Sequence, residues 1–185
     1  MGNYEMLSYE EKELINGELN SGEKVLWADK PSLRSEFLKS FYIYLFAIPW
    51  IAIFIFFRGS FYERGRLSAM FLIPFILAGI YMLFIPFIKR IELKKTVYLV
   101  TNQRLIIYIY GWKTKVKSFQ PSQIRNVERH QKADGFGNLI FAKEVFYDSD
   151  GDRRTSKIGF MGIKDVKQVE DLIYKELLST IEVNL

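Results

Sequence analysis

Phe41–Phe57 reads FYIYLFAIPWIAIFIFF, and Leu67–Ile88 reads LSAMFLIPFILAGIYMLFIPFI. All 26 basic and 21 acidic residues of this 185-residue chain lie outside these two runs. A mean hydropathy of +0.01, with 25% charged and 49% hydrophobic residues, would describe an ordinary soluble globule if it were evenly spread. Here it averages two charge-free inserts with a strongly charged remainder. As helices at about 1.5 Å per residue, the second run covers about 33 Å and the first about 26 Å, against a hydrocarbon core of about 30 Å. Lys39 and Arg58 flank the first run, and their stems can snorkel to the interface. Neither run has the polar face that a surface helix of a soluble protein needs. Pro49, Pro74 and Pro86 are tolerable in spanning helices, where neighbours satisfy the freed carbonyls. Tyr42 and Tyr44 sit where an interfacial aromatic belt would fall, and Trp50 is a further amphipathic ring.

Two buried helices of a soluble core are the competing reading. Such helices rarely run this far without a charge, and so short a chain could not cover two of them. A cleaved signal peptide fits poorly, because the first run comes after a charged segment with structure of its own. Only Arg58–Arg66 separates the runs, so they form a hairpin with both chain ends on one side. Lys24, Lys30, Arg34 and Lys39 precede it; Lys89, Arg90, Lys94 and Lys95 come after it. The connecting loop holds only Arg58, Arg64 and Arg66. This asymmetry places both termini in the cytoplasm, in a multi-pass protein of the cell membrane. Lys89, Arg90, Lys94 and Lys95 then read as interface anchors.

The expected division is a leading segment over 1–40, a transmembrane hairpin over 41–88 and a carboxy-terminal domain over 89–185. In the leading segment, Ser8 and Glu11 make a capping-box pattern that opens a short helix through Leu14 and Ile15, with breaks at Gly17 and Ser21-Gly22. Glu23–Trp27 reads as a strand. Met1-Gly2 invites N-myristoylation, but Met6 stands where that pattern wants Ser or Thr.

The carboxy-terminal domain is basic and begins as strands. Leu93–Val100 is rich in β-branched and aromatic residues. Thr101-Asn102-Gln103-Arg104 is a turn in which Asn102 suits a positive φ. Leu105–Tyr110 is apolar on both faces, as a strand covered on both sides would be. Lys113–Phe119 alternates, with Lys113, Lys115 and Lys117 on one face and Val116 on the other. Further strands are expected at Ile124–Gln131, Leu139–Ala142, Lys143–Tyr147 and Thr155–Phe160, with a polar hairpin tip at Asp148–Arg153. After Asp165 the period changes. Val166, Val169, Leu172, Ile173, Leu177 and Ile181 recur every three or four residues, the stripe of one amphipathic helix. Short strands and then one helix suggest a small antiparallel barrel or sandwich whose open end the helix covers.

Three stretches resemble the bacterial pleckstrin-homology-like (bacterial PH) family. Tyr98-Leu-Val-Thr-Asn-Gln-Arg-Leu-Ile-Ile107 is similar to its strand–turn–strand with Thr101, Asn102 and Arg104. Ile124-Arg-Asn-Val127, with Gly135-Phe-Gly137-Asn-Leu-Ile-Phe141 after it, is similar to its glycine hairpin. Phe160-Met-Gly-Ile-Lys-Asp-Val166 leads into a final helix in the same way. Glu23-Lys-Val-Leu-Trp27, ahead of a membrane hairpin, resembles the family's anchored members. The resemblance implies an α+β, mainly β fold: a seven-stranded PH-like antiparallel barrel capped by a carboxy-terminal helix, preceded by a two-helix transmembrane hairpin. It also implies a binding or scaffolding module with no established catalytic centre.

The candidate sites are few. Lys113, Lys115 and Lys117 could contact anionic headgroups, each worth about 1 kcal/mol near the surface; a solvated strand face is the plain alternative. Asp148, Asp150 and Asp152 with Gly151 faintly resemble a calcium loop, but the glycine falls too early and the closing glutamate is missing. Gly135 and Gly137 lack the third glycine and the βαβ setting of a dinucleotide site, so tight hairpin geometry explains them better. His130 reads as a half-exposed structural residue. With no cysteine there is no disulfide framework, thiolate metal site or thiol nucleophile. No catalytic residue, metal site or cofactor is expected, so the chain reads as a non-enzyme. The partners expected are membrane lipids, a protein of unspecified identity and a second copy of the chain. Nucleic acid is not among them, because acids are interspersed among the bases and no RNA-binding aromatic signature comes after the glycines. Two roles remain: a membrane-tethered binding, scaffolding or surface-sensing module, and an accessory subunit of a larger membrane complex. In the second the hairpin is the interface, packed through Ser68, Ala69, Ala78 and Gly79.

Overall fold

The structure is a computed structural model, and it describes residues 3–33, 40–63, 72–124 and 126–179. It divides into two compact units. One unit joins Met1–Ser32 to Leu93–Leu185; the other is Leu33–Glu92.

The first unit is α+β, with two antiparallel sheets. Helix α1 (Tyr9–Glu18) opens on the capping box read from the sequence. The Glu11 N–H donates to Ser8 Oγ at 3.2 Å, and the Ser8 N–H donates to Glu11 Oε2 at 3.0 Å. Gly17 does not break this helix, which continues through it to Glu18. Strand β1 (Val25–Asp29) comes next. After the second unit come β2 (Thr96–Thr101), β3 (Leu105–Ile109) and β4 (Lys115–Phe119). These four form one sheet in the order β1-β2-β3-β4. Strands β5 (Glu128–Gln131), β6 (Gly137–Tyr147) and β7 (Arg153–Ile163) form the other. The sheets are not closed into the expected barrel.

Alternation along the strands explains both faces of the first sheet. Trp27, Tyr98, Val100 and Leu105 point into the main core. Ala28, Val97, Leu99, Ile106 and Tyr108 point the other way, where Leu7 and Ile15 cover them. Leu105–Ile109 is therefore apolar on both faces because α1 and the turn before it cover the outer one. In the main core, Leu139, Phe141, Phe160 and Ile163 of the second sheet meet the first sheet. The Phe160 ring stacks on Trp27 at 5.6 Å and on Tyr98 at 5.0 Å, and meets Phe141 edge-on at 5.0 Å. A terminal helix, α4 (Val166–Ile173), continues as a π-helical turn over Tyr174–Leu178. Its Val166, Val169, Ile173 and Leu177 are buried in the same core. Ile181 lies outside the described residues.

Several limits differ from expectation. The strand expected from Leu93 begins at Thr96, because the preceding helix runs on to Lys94. Lys113 belongs to the turn before β4 rather than to the strand. Ile124 and Val127 are buried in a loop, and β5 starts only at Glu128. The two strands expected across Leu139–Tyr147 are one, with a register shift between Ile140 and Ala142 that bends it.

The second unit holds α2 (Tyr44–Glu63) and most of α3 (Leu72–Lys94). They run antiparallel against one another. The Tyr44 hydroxyl donates to the Leu83 carbonyl at 3.0 Å, and Trp50 Nε1 donates to the Phe75 carbonyl at 3.2 Å. Among the described residues one helix, Ile73–Lys94, is long and apolar enough to cross a membrane, and 11% of its most apolar window is buried. The apolar part of the first, Phe41–Ile53, is shorter, so among the described residues one helix of the expected pair has the length to span. Arg58 is not in the connecting loop but on α2. Arg64, Arg66, Ser68, Ala69, Arg34 and Lys39 lie outside the described residues.

Candidate functional site

The residues of the Thr101-Asn102-Gln103-Arg104 turn converge on the leading segment. Glu23 has a fully buried side chain. Arg104 grips it as a fork, Nε to Oε1 at 2.9 Å and Nη2 to Oε2 at 3.0 Å. The Thr101 hydroxyl donates to Glu23 Oε1 at 2.7 Å and accepts the Arg104 N–H at 2.9 Å. The Asn20 N–H donates to Glu23 Oε2 at 2.8 Å. Burial raises the Glu23 pKa, but the Arg104 guanidinium, the Asn20 N–H and the Thr101 hydroxyl together outweigh it and hold the carboxyl below its ordinary range. Asn102 is not at positive φ; among the described non-glycine residues only Asp165 is. Instead, Asn102 Oδ1 accepts the Lys24 N–H at 2.8 Å, and its own N–H donates to the Lys24 carbonyl at 3.1 Å. The turn is thus a clamp that fastens the leading segment to the β2–β3 corner. Its two charged groups, Glu23 and Arg104, are paired with each other.

A second polar cluster surrounds Glu11, which is 6% exposed. Lys30 Nζ donates to its two oxygens at 2.6 and 2.8 Å. The Tyr110 hydroxyl also donates to it. Burial pushes Glu11 up, and Lys30, Tyr110 and the Ser8 N–H reverse this to a lowered pKa. Burial, and after it the neighbouring Glu11 carboxylate, pushes Tyr110 up to about 12.

The glycine pair is structural. Gly135 has φ +80°, and a Cβ on Gly137 would come within 2.1 Å of the His130 carbonyl oxygen. His130 itself is on β5, with its side chain 59% exposed. The expected tip is a turn over Asp148–Asp152, with Arg153 already in β7; Asp148 accepts N–H groups from Asp150 at 3.1 Å and Asp152 at 3.0 Å, and the Arg154 Nε–H at 2.5 Å. Gly79 lies against α2: a Cβ there would meet Ile51 Cγ1 at 2.7 Å. That small residue is used inside the helix pair and is not a spare contact for another subunit.

Lys115 and Lys117 share one face of β4, and Lys113 lies in the turn before it. Lys117 is paired with Glu144 at 3.0 Å. Lys115 and Lys113 are exposed, and among the described residues neither makes an ion pair. Of the expected anchors, Lys89 pairs with Glu92 at 3.1 Å and Arg90 is on α3. Lys94 ends that helix. The carbonyl of Lys95 accepts the Tyr110 N–H at 3.0 Å. Beside them stands Trp112, 101% exposed, in the β3–β4 turn. No periodic pattern points to Trp112; its signal in the sequence is a lone tryptophan between Gly111 and Lys113. A cleft of about 360 Å³ beside β6 has Glu128 and Lys143 as its ionisable lining groups, bonded to each other at 2.6 Å.

No family model matches this chain, and no curated protein or solved structure is significantly similar to it.

Proposed function

We propose that this is a non-catalytic membrane-anchored protein that presents a PH-like binding or scaffolding unit at the cytoplasmic surface, with the α2–α3 pair as a two-span hairpin and both termini cytoplasmic. The observation that carries this reading is α3: a lipid-length helix, charge-free over most of its span, that is almost wholly unburied and runs without a loop into a β-sheet unit. An apolar surface of that extent in water would be an aggregation site. The four-plus-three strand order and the terminal helix in the shared core support a PH-like scaffold, as do the ordered motifs that resemble the bacterial PH family. A role in protein association, self-association or sensing of the lipid surface suits a sheet unit tethered beside a bilayer. The test is proteolysis of oriented vesicles. Digestion of the sheet unit in inside-out vesicles, with protection in right-side-out ones, is expected; the opposite pattern overturns the topology.

A further inference from the structure

We propose that the β3–β4 turn is a membrane-docking foot, in which the Trp112 ring enters the headgroup layer and Lys94, Lys95, Lys113 and Lys115 bind anionic lipid. It rests on the reading of α3 as a membrane span. By covalent connection alone, Lys95 is one residue, about 3.8 Å of Cα spacing, past the end of that helix. The turn is closed onto this point. The Tyr110 N–H reaches the Lys95 carbonyl at 3.0 Å, and a Cβ on Gly111 would lie 3.5 Å from Lys95 Cδ. Trp112 comes directly after and touches water on every side.

A wholly exposed tryptophan is costly in water and favourable at a bilayer interface, where the ring meets apolar carbon and the N–H stays hydrated. Along the chain its charged neighbours have one sign, while in space α1 brings Glu10 and Glu11 to Tyr110 and Glu18 to Tyr108, with Glu11 paired to Lys30. No acidic residue occurs between Leu93 and Gln120. The β6–β7 tip lies toward the same end, because Phe119 meets Phe141 at 5.2 Å and Lys117 meets Glu144 at 3.0 Å. That tip carries Asp148, Asp150 and Asp152 with Arg153 and Arg154, and Arg154 is bonded to Asp148, so the lipid contact is assigned to the β3–β4 turn with Lys94 and Lys95 alone.

The chain has no cysteine, so single labels are clean. Full-length protein carrying Thr114→Cys with an environment-sensitive dye is reconstituted in phosphatidylcholine vesicles, with or without phosphatidylserine. Doxyl-labelled lipid serves as the quencher. A parallel Ile80→Cys label reports α3. Both labels should be quenched in the phosphatidylserine vesicles. At Thr114 the docked-to-undocked ratio should fall about fivefold for each of Lys113→Gln and Lys115→Gln. It should also fall with added salt and with Trp112→Ala. Quenching at Ile80 without quenching at Thr114 overturns the foot and leaves the membrane span standing. Quenching at neither position overturns both. Quenching at Thr114 that ignores phosphatidylserine, salt and the lysine changes overturns the anionic-lipid assignment.

Discussion

Glu23 is a carboxylate that the fold has taken out of water and surrounded with donors. Removing one partner of a buried, hydrogen-bonded pair leaves the other charge stranded, which costs about 3–5 kcal/mol. Arg104→Ala should therefore lower unfolding stability by about that amount in urea titrations. Arg104→Lys should recover only part of the loss, since an ammonium cannot reproduce the two-pronged contact; full recovery would show that the charge alone matters. Glu11 and Glu23 both have pKa values lowered by folding. A lowered folded-state pKa means stability that is present above the unfolded value, near 4.5, and lost as pH falls through the folded value. Glu11→Gln and Glu23→Gln should flatten that acid limb. Tyr110 works at the other end. Its raised pKa adds stability below pH 10 that disappears as pH climbs toward about 12. Tyr110→Phe should remove the alkaline loss, and an unchanged alkaline limb would dissociate it from Tyr110.

Local grammar accounts for some elements and fails at others. The Ser8–Glu11 capping box is legible because its four residues are contiguous and the bonds are set by their spacing. Gly17 reads as a break and is not one. One glycine costs a helix only about 1 kcal/mol relative to alanine, which the cap and the burial of Ile15 offset. Leu93 and Lys94 read as strand from the β-branched and aromatic character of Thr96–Val100, whereas the helix before them continues. Asn102 suits a turn conformation by local pattern, but its role is a contact with Lys24, 78 positions away, which local pattern does not encode. Gly137 reads as hairpin geometry, and the structure supplies the reason: β5 approaches too closely for any side chain. Gly137→Ala should unpair β5 from β6. The expected sign is rapid hydrogen exchange at the amides of residues 128–131 while β2 and β3 stay protected. Retained protection there would mean the strands can part without unpairing.

On the scale of the molecule, the leading segment belongs to the sheet unit, although the second unit is inserted between them. It supplies an edge strand, the Trp27 ring in the main core and the cover over Val97, Leu99 and Ile106. Each such aliphatic side chain is worth about 1.5–3 kcal/mol when buried. A fragment beginning at Leu93 should therefore be aggregated or molten, and a peptide spanning residues 3–32 added in trans should restore a cooperative transition. A Leu93–Leu185 fragment that melts cooperatively by itself would contradict this account.

That insertion also sets a clock. Lys24 meets Asn102 across 78 positions of chain. At about 5–20 residues per second, a ribosome needs about 4–16 s to deliver the second partner after the first. For that interval Trp27, Ile15 and Leu7 are finished but have no sheet to join. Whatever shields the nascent amino terminus during those seconds governs the yield of folded protein without altering its final stability.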